Sequence, residues 1–150
     1  MMLSAPIKEH AAPQADGALP SGTSRPRLLL VEDNEPFAQA LCKVLSAGGY
    51  EVTWVQDGFQ AVRFMSDQQP AAAIIMDMML PRMSGTAATR QIRWQHPRVP
   101  IIGISGLQYA SMVADFMGAG GTVFLEKHEL MPRLLDLLAS VVTERDETGE

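Results

Sequence analysis

Five short apolar runs, each followed by a stretch with helical spacing, constrain this chain more than any other feature. Leu28-Leu29-Leu30-Val31, Ala72-Ala73-Ile74-Ile75-Met76 and Ile101-Ile102-Gly103-Ile104 are continuous, as expected of strands buried on both faces. Glu51–Val55 alternates like a strand, and Thr122-Val123-Phe124-Leu125 supplies the last one. From Asn34 the spacing turns helical: Phe37, Leu41, Val44, Leu45 and Gly48 share a face, Asp33 or Asn34 is the N-cap, and Gly48-Gly49 the stop. Gly58–Ser66, Gly85–Trp94 and Ala110–Met117 read as shorter helices. Leu130, Leu134, Leu137, Leu138 and Val141 stripe a final one, with Met131, Leu135 and Val142 beside them. Strict alternation of strand and helix implies right-handed crossovers and a parallel sheet covered on both faces.

The chain has 150 residues, room for one ordinary domain, and its 47% hydrophobic content is enough for a core. Residues 1–26 scatter Pro6, Pro13, Pro20 and Pro26 among small residues without periodicity, so they are expected to form a disordered tail. The folded domain is expected over 27–143, and 144–150 as an acidic tail with no output domain after it. A single cysteine, Cys42, excludes an internal disulfide framework and a cysteine-based zinc site. A net charge of -5 with scattered Lys and Arg argues against a nucleic-acid surface. No apolar run approaches a membrane span, and no h-region follows Lys8, so a cytoplasmic location is expected. Arg90, Arg93 and Arg98 read as a solvated helix face.

In open parallel sheets, sites form at the carboxyl ends of the strands, where strand order reverses. Glu32-Asp33 end the first strand, Asp77 the third and Ser105 the fourth, and Glu126-Lys127 follow the fifth. Each is weak alone, because acids after strands are commonly caps or turn formers. Together they crowd carboxylates that repel unless a cation balances them. Hard oxygen ligands favour Mg2+, Lys127 offers a movable charge and Ser105 a hydroxyl. This set suits phosphoryl transfer to a carboxylate, in which catalysis is largely positioning and charge stabilisation.

Residues 27 to about 143 resemble the receiver domain of bacterial two-component response regulators. The resemblance is carried by Leu29-Leu30-Val31-Glu32-Asp33-Asn34, by Ile74-Ile75-Met76-Asp77 with Pro81, Met83 and Gly85, by Ile104-Ser105-Gly106, and by Phe124-Leu125-Glu126-Lys127. It implies a flavodoxin-like, doubly wound sheet of order 2-1-3-4-5 with five helices. It implies Asp77 as phosphoacceptor and Mg2+ held by Glu32, Asp33, Asp77 and the backbone carbonyl of Met79. Ser105 then matches the switch hydroxyl, Phe124 the switch aromatic and Lys127 the family's lysine. The implied partners are a sensor histidine kinase or histidine phosphotransfer protein, a downstream protein target, and a second copy through the fourth and fifth helices. The expected activity is that of a phosphoacceptor in signalling or a phosphorelay, not an enzyme acting on other substrates.

The chain departs from the family at His128, where proline is usual; a trans bond is expected there, since a non-proline cis bond costs about 3–4 kcal/mol. Met79 and Leu107 are apolar where the family tunes water access, which suggests slow self-dephosphorylation. Phe124 lacks the hydroxyl of the commoner tyrosine. A phosphatase of the haloacid-dehalogenase type also uses an aspartyl nucleophile, but it wants a second Asp where Met79 stands. The other alternative is a receiver-like interaction module that is never phosphorylated, although no acid and no lysine is missing here.

Overall fold

A computed structural model describes residues 10–11, 24–67, 71–107 and 109–147, with side chains described over 24–67, 71–107 and 109–142. The elements run β1 (His10–Ala11), β2 (Arg27–Val31), α1 (Glu35–Ala47), β3 (Glu51–Val55), α2 (Gly58–Asp67), β4 (Ala73–Asp77), α3 (Gly85–Gln95), β5 (Ile101–Ser105), α4 (Ala110–Gly118), β6 (Val123–Glu126) and α5 (Lys127–Glu147). The sheet order is β1-β3-β2-β4-β5-β6. All neighbours are parallel except β1 on β3. Counted among themselves, the five parallel strands have the order 2-1-3-4-5, as the family resemblance implied.

Because side chains alternate across a strand, each apolar run feeds two cores. Leu28, Leu30, Ile75, Ile102 and Ile104 face α1 and α5, meeting Leu41, Leu45, Leu130, Leu134 and Leu138. Leu29, Val31, Ile74, Met76 and Ile101 face the other way, onto Phe64 of α2, Ile92 of α3 and Phe116 of α4. Burying each such side chain contributes about 1.5–3 kcal/mol. Phe116 reaches the sheet because Gly103 and Gly121 leave room for its ring, which an added Cβ at either position would strike.

Asn34, not Asp33, caps α1: its Oδ1 accepts from the Phe37 N–H at 3.0 Å. The last helix starts at Lys127 with no intervening loop and contains Pro132. Its buried stripe is Leu130, Leu134, Leu138 and Val142, so Val142 lies in the core rather than in a separate outer stripe, while Met131 is exposed. The helix runs to Glu147, past the boundary expected at 143, because no glycine or proline interrupts Thr143–Glu147. Within the expected tail, His10–Ala11 add a short strand to the open edge of β3. Edge pairing is supplied by a distant strand, so composition does not reveal it. Residues 1–9, 12–23 and 148–150, on which the remaining tail expectations fall, lie outside the described residues. Among the described residues no helix is long and apolar enough to cross a membrane.

Candidate metal and phosphoacceptor site

Strand order reverses at β2, whose neighbours β3 and β4 lead away in opposite directions, and this opens a crevice beyond the carboxyl ends of β2 and β4. Glu32 sits there, held from three sides. Its N–H donates to the Val55 carbonyl (3.1 Å), its carbonyl accepts from the Trp54 indole (2.7 Å), and its Oε2 accepts from the Asn34 N–H (3.0 Å). Asp77 ends β4, opposite Ile104 of β5, and its Oδ1 accepts from the Met79 N–H at 3.1 Å. The α3 N-terminus closes tightly behind it: Gly85 donates to the Met78 carbonyl (3.2 Å), and a Cβ on Gly85 would collide with the Asp77 carbonyl oxygen.

Lys127 enters from the β6–α5 junction. Its Nζ lies 3.0 Å from Glu32 Oε1 and 3.5 Å from Asp77 Oδ2, and 4.6 Å from the centre of the Phe37 ring. Glu32 is 0% exposed and Asp77 3%, whereas Asp33 is open to solvent. Carboxylate oxygens of Glu32, Asp33 and Asp77 lie within 4.8 Å of one another. Glu32 Oε1 is fully buried, and the Lys127 ammonium is the contact that meets it.

Burial, then the charge of Asp77, pushes Glu32 up from 4.5 to about 7, with Lys127 and the Asn34 N–H pulling partly back. Burial alone would lower Lys127, but its contact with Glu32 and the charges of Asp77 and Glu32 outweigh that and raise it. The ensemble is short of positive charge. Three hard carboxylates brought together with one ammonium to balance them fit a divalent cation such as Mg2+.

The remaining expected residues stand further off. Ser105 is buried at the end of β5, one residue past the partner of Asp77, and its Oγ accepts from the Leu107 N–H at 3.2 Å. Phe124 is half-buried and packs edge-to-face on Phe116, with ring centroids 6.2 Å apart. Met79 and Leu107 expose 66% and 63% of their surface. His128 places Nδ1 3.1 Å from Glu126 Oε2, and no described peptide bond is cis. Sequence reasoning assigned no site role to Phe37 or Trp54, which were visible only as a helix-stripe residue and a strand residue. A contact across the sheet has no local signal.

A sequence model of the family described as response regulator receiver domain matches residues 28–139. Among curated relatives, response regulator MprA of Mycobacterium ulcerans is 30% identical over 128 residues, covering 83% of this chain and 55% of the relative. Response regulator RppA of Synechocystis is 32% identical over 116 residues, 77% of this chain and 50% of the relative. The chain thus spans about half the length of the curated relatives it matches. Among solved structures, the receiver domain of sensor histidine kinase PA1611 from Pseudomonas aeruginosa, with a magnesium ion coordinated in its active-site cleft, is 35% identical. Its TM-score is 0.74, with 80% of this chain and 99% of that one covered. Sequence, strand order and the acidic crevice agree: this chain belongs to the response regulator receiver domain family.

Proposed function

We propose that the protein works as a response regulator receiver that accepts a phosphoryl group on Asp77 from a sensor histidine kinase or a histidine phosphotransfer protein. The observation that carries this reading is the convergence of Asp77 with Lys127 and the Glu32–Asp33 pair at one strand edge. An Asp77 carboxylate oxygen attacks phosphorus, the P–N bond of the donor phosphohistidine breaks, and the electron pair leaves with the imidazole. Lys127 lies within reach of Asp77 and meets the charge on the transferred group. The Met79 N–H fixes the other carboxylate oxygen, which orients the nucleophile. Glu32, Asp33, Asp77 and the Met79 carbonyl would hold Mg2+, which supplies charge neutralisation at the phosphoryl oxygens.

The new charge then draws Ser105 and Lys127 toward the acceptor. Ser105 gives up its bond from Leu107, and the segment leading into α4 moves with it. Phe124, half-buried against the core beside Phe116, changes its packing in the same shift. The signal passes through protein contacts, with a downstream target or a second copy meeting α4 and α5, or onward as a phosphoryl group. Incubation with Mg2+ and acetyl phosphate tests the reading by intact mass. The wild type should gain one phosphoryl group and Asp77→Asn none. An unlabelled wild type would favour a module that works by binding alone.

A further inference from the structure

We propose that Arg82 is a positioning residue for the cation site, acting through an ion pair with Asp57 that clamps the loop between β4 and α3. This rests on the reading above, since the loop carries Met79, the backbone ligand. Arg82 has φ +66, and no other described non-glycine residue has positive φ. Met83 N–H donates to the Pro81 carbonyl at 2.7 Å across it, a three-residue γ-turn of the rare, strained kind. Such a turn persists when its surroundings over-determine it. Here Nε (3.1 Å) and Nη2 (2.7 Å) of Arg82 both donate to Asp57 Oδ2, and the guanidinium stands 5.5 Å from the Phe59 ring centre.

Asp57 is a firm anchor. It is buried, and its Oδ1 accepts from the Gln60 N–H at 2.9 Å, capping α2. The two loops also touch through backbone, since a Cβ on Gly58 would meet the Met83 carbonyl oxygen at 2.6 Å. The loop is tied at its other end by Met79 N–H on Asp77 and Gly85 N–H on Met78. Residues 79–84 are therefore tied between the acceptor and the clamp. Releasing Arg82 frees the γ-turn to relax and leaves Asp57 buried without its counter-charge.

Calorimetric titration of Mg2+ into the full chain tests this, with urea unfolding to establish that each variant is folded. Arg82→Ala and Asp57→Asn, the latter retaining an oxygen that can cap α2, should each weaken Mg2+ about tenfold, the low end for partners that orient metal ligands. The double variant should be no weaker than either single one, because both remove the same contact. Arg82→Gly, which removes the φ penalty, should still weaken Mg2+, and Arg82→Lys should recover part of the affinity. Unchanged Mg2+ affinity in folded Arg82→Ala and Asp57→Asn, or wild-type affinity in Arg82→Gly, overturns the proposal and leaves the phosphoacceptor reading standing. A wild type that takes up no Mg2+ overturns both.

Discussion

Replacing Glu32 by glutamine should make the metal-free protein more stable above pH 7 and leave it nearly unchanged near pH 4.5. In the folded chain burial and Asp77 raise Glu32 from 4.5 to about 7. Between those values the folded state holds a proton that the unfolded state releases, so wild-type stability falls as pH rises through that window and then levels off. The interval is about 2.5 pH units, and at 1.36 kcal/mol per unit the ceiling is about 3 kcal/mol. Solvent screening takes little from this, because Glu32 is fully buried. Lys127 is raised and titrates well above the window, so it adds no slope there. Glutamine keeps the acceptor for the Asn34 N–H and carries no charge. Urea unfolding in chelator, read from the buried Trp54, should show the variant ahead by about 1–3 kcal/mol at pH 8 and level with wild type at pH 4.5. At Mg2+ ten times its Kd the wild type should recover about 1.4 kcal/mol, and the variant less. A gap independent of pH, or a wild type that is the more stable at pH 8, would refute the argument that Glu32 is charged at a cost.

Three further outcomes are expected. Asp33→Asn removes an exposed member of the acidic set, so it should weaken Mg2+ binding while leaving the metal-free urea midpoint equal or higher; a lower midpoint would mean Asp33 has a structural bond. Gly85→Ala should lose about 1–3 kcal/mol and most acetyl-phosphate labelling, because its Cβ meets the backbone of Asp77 rather than a flexible side chain; unchanged melting and labelling would contradict this. Met79 and Leu107, exposed two residues after Asp77 and Ser105, are apolar and cannot hydrogen-bond an attacking water, so a phosphoryl group on Asp77 should outlast seconds in the isolated protein, as read by time-resolved intact mass.

The continuous apolar runs, alternating with helical stripes, were enough to imply a parallel sheet covered on both faces, because a strand buried on each face needs apolar side chains at successive positions. The same strand ends pointed to Glu32, Asp33, Asp77, Ser105 and Lys127, since the winding of a parallel sheet brings carboxyl ends to one edge. Strand order was another matter. Alternation is satisfied by several orders, and 2-1-3-4-5 followed from family resemblance and is what the structure shows. Tertiary structure alone decided that Lys127 reaches Glu32 more closely than Asp77, and that Trp54 anchors the Glu32 backbone. It alone also paired Arg82 with Asp57, 25 residues away. These are contacts between segments distant in the chain. Local residue preferences report on neighbours in sequence, whereas the energy of a buried charge is set by whatever the fold brings beside it.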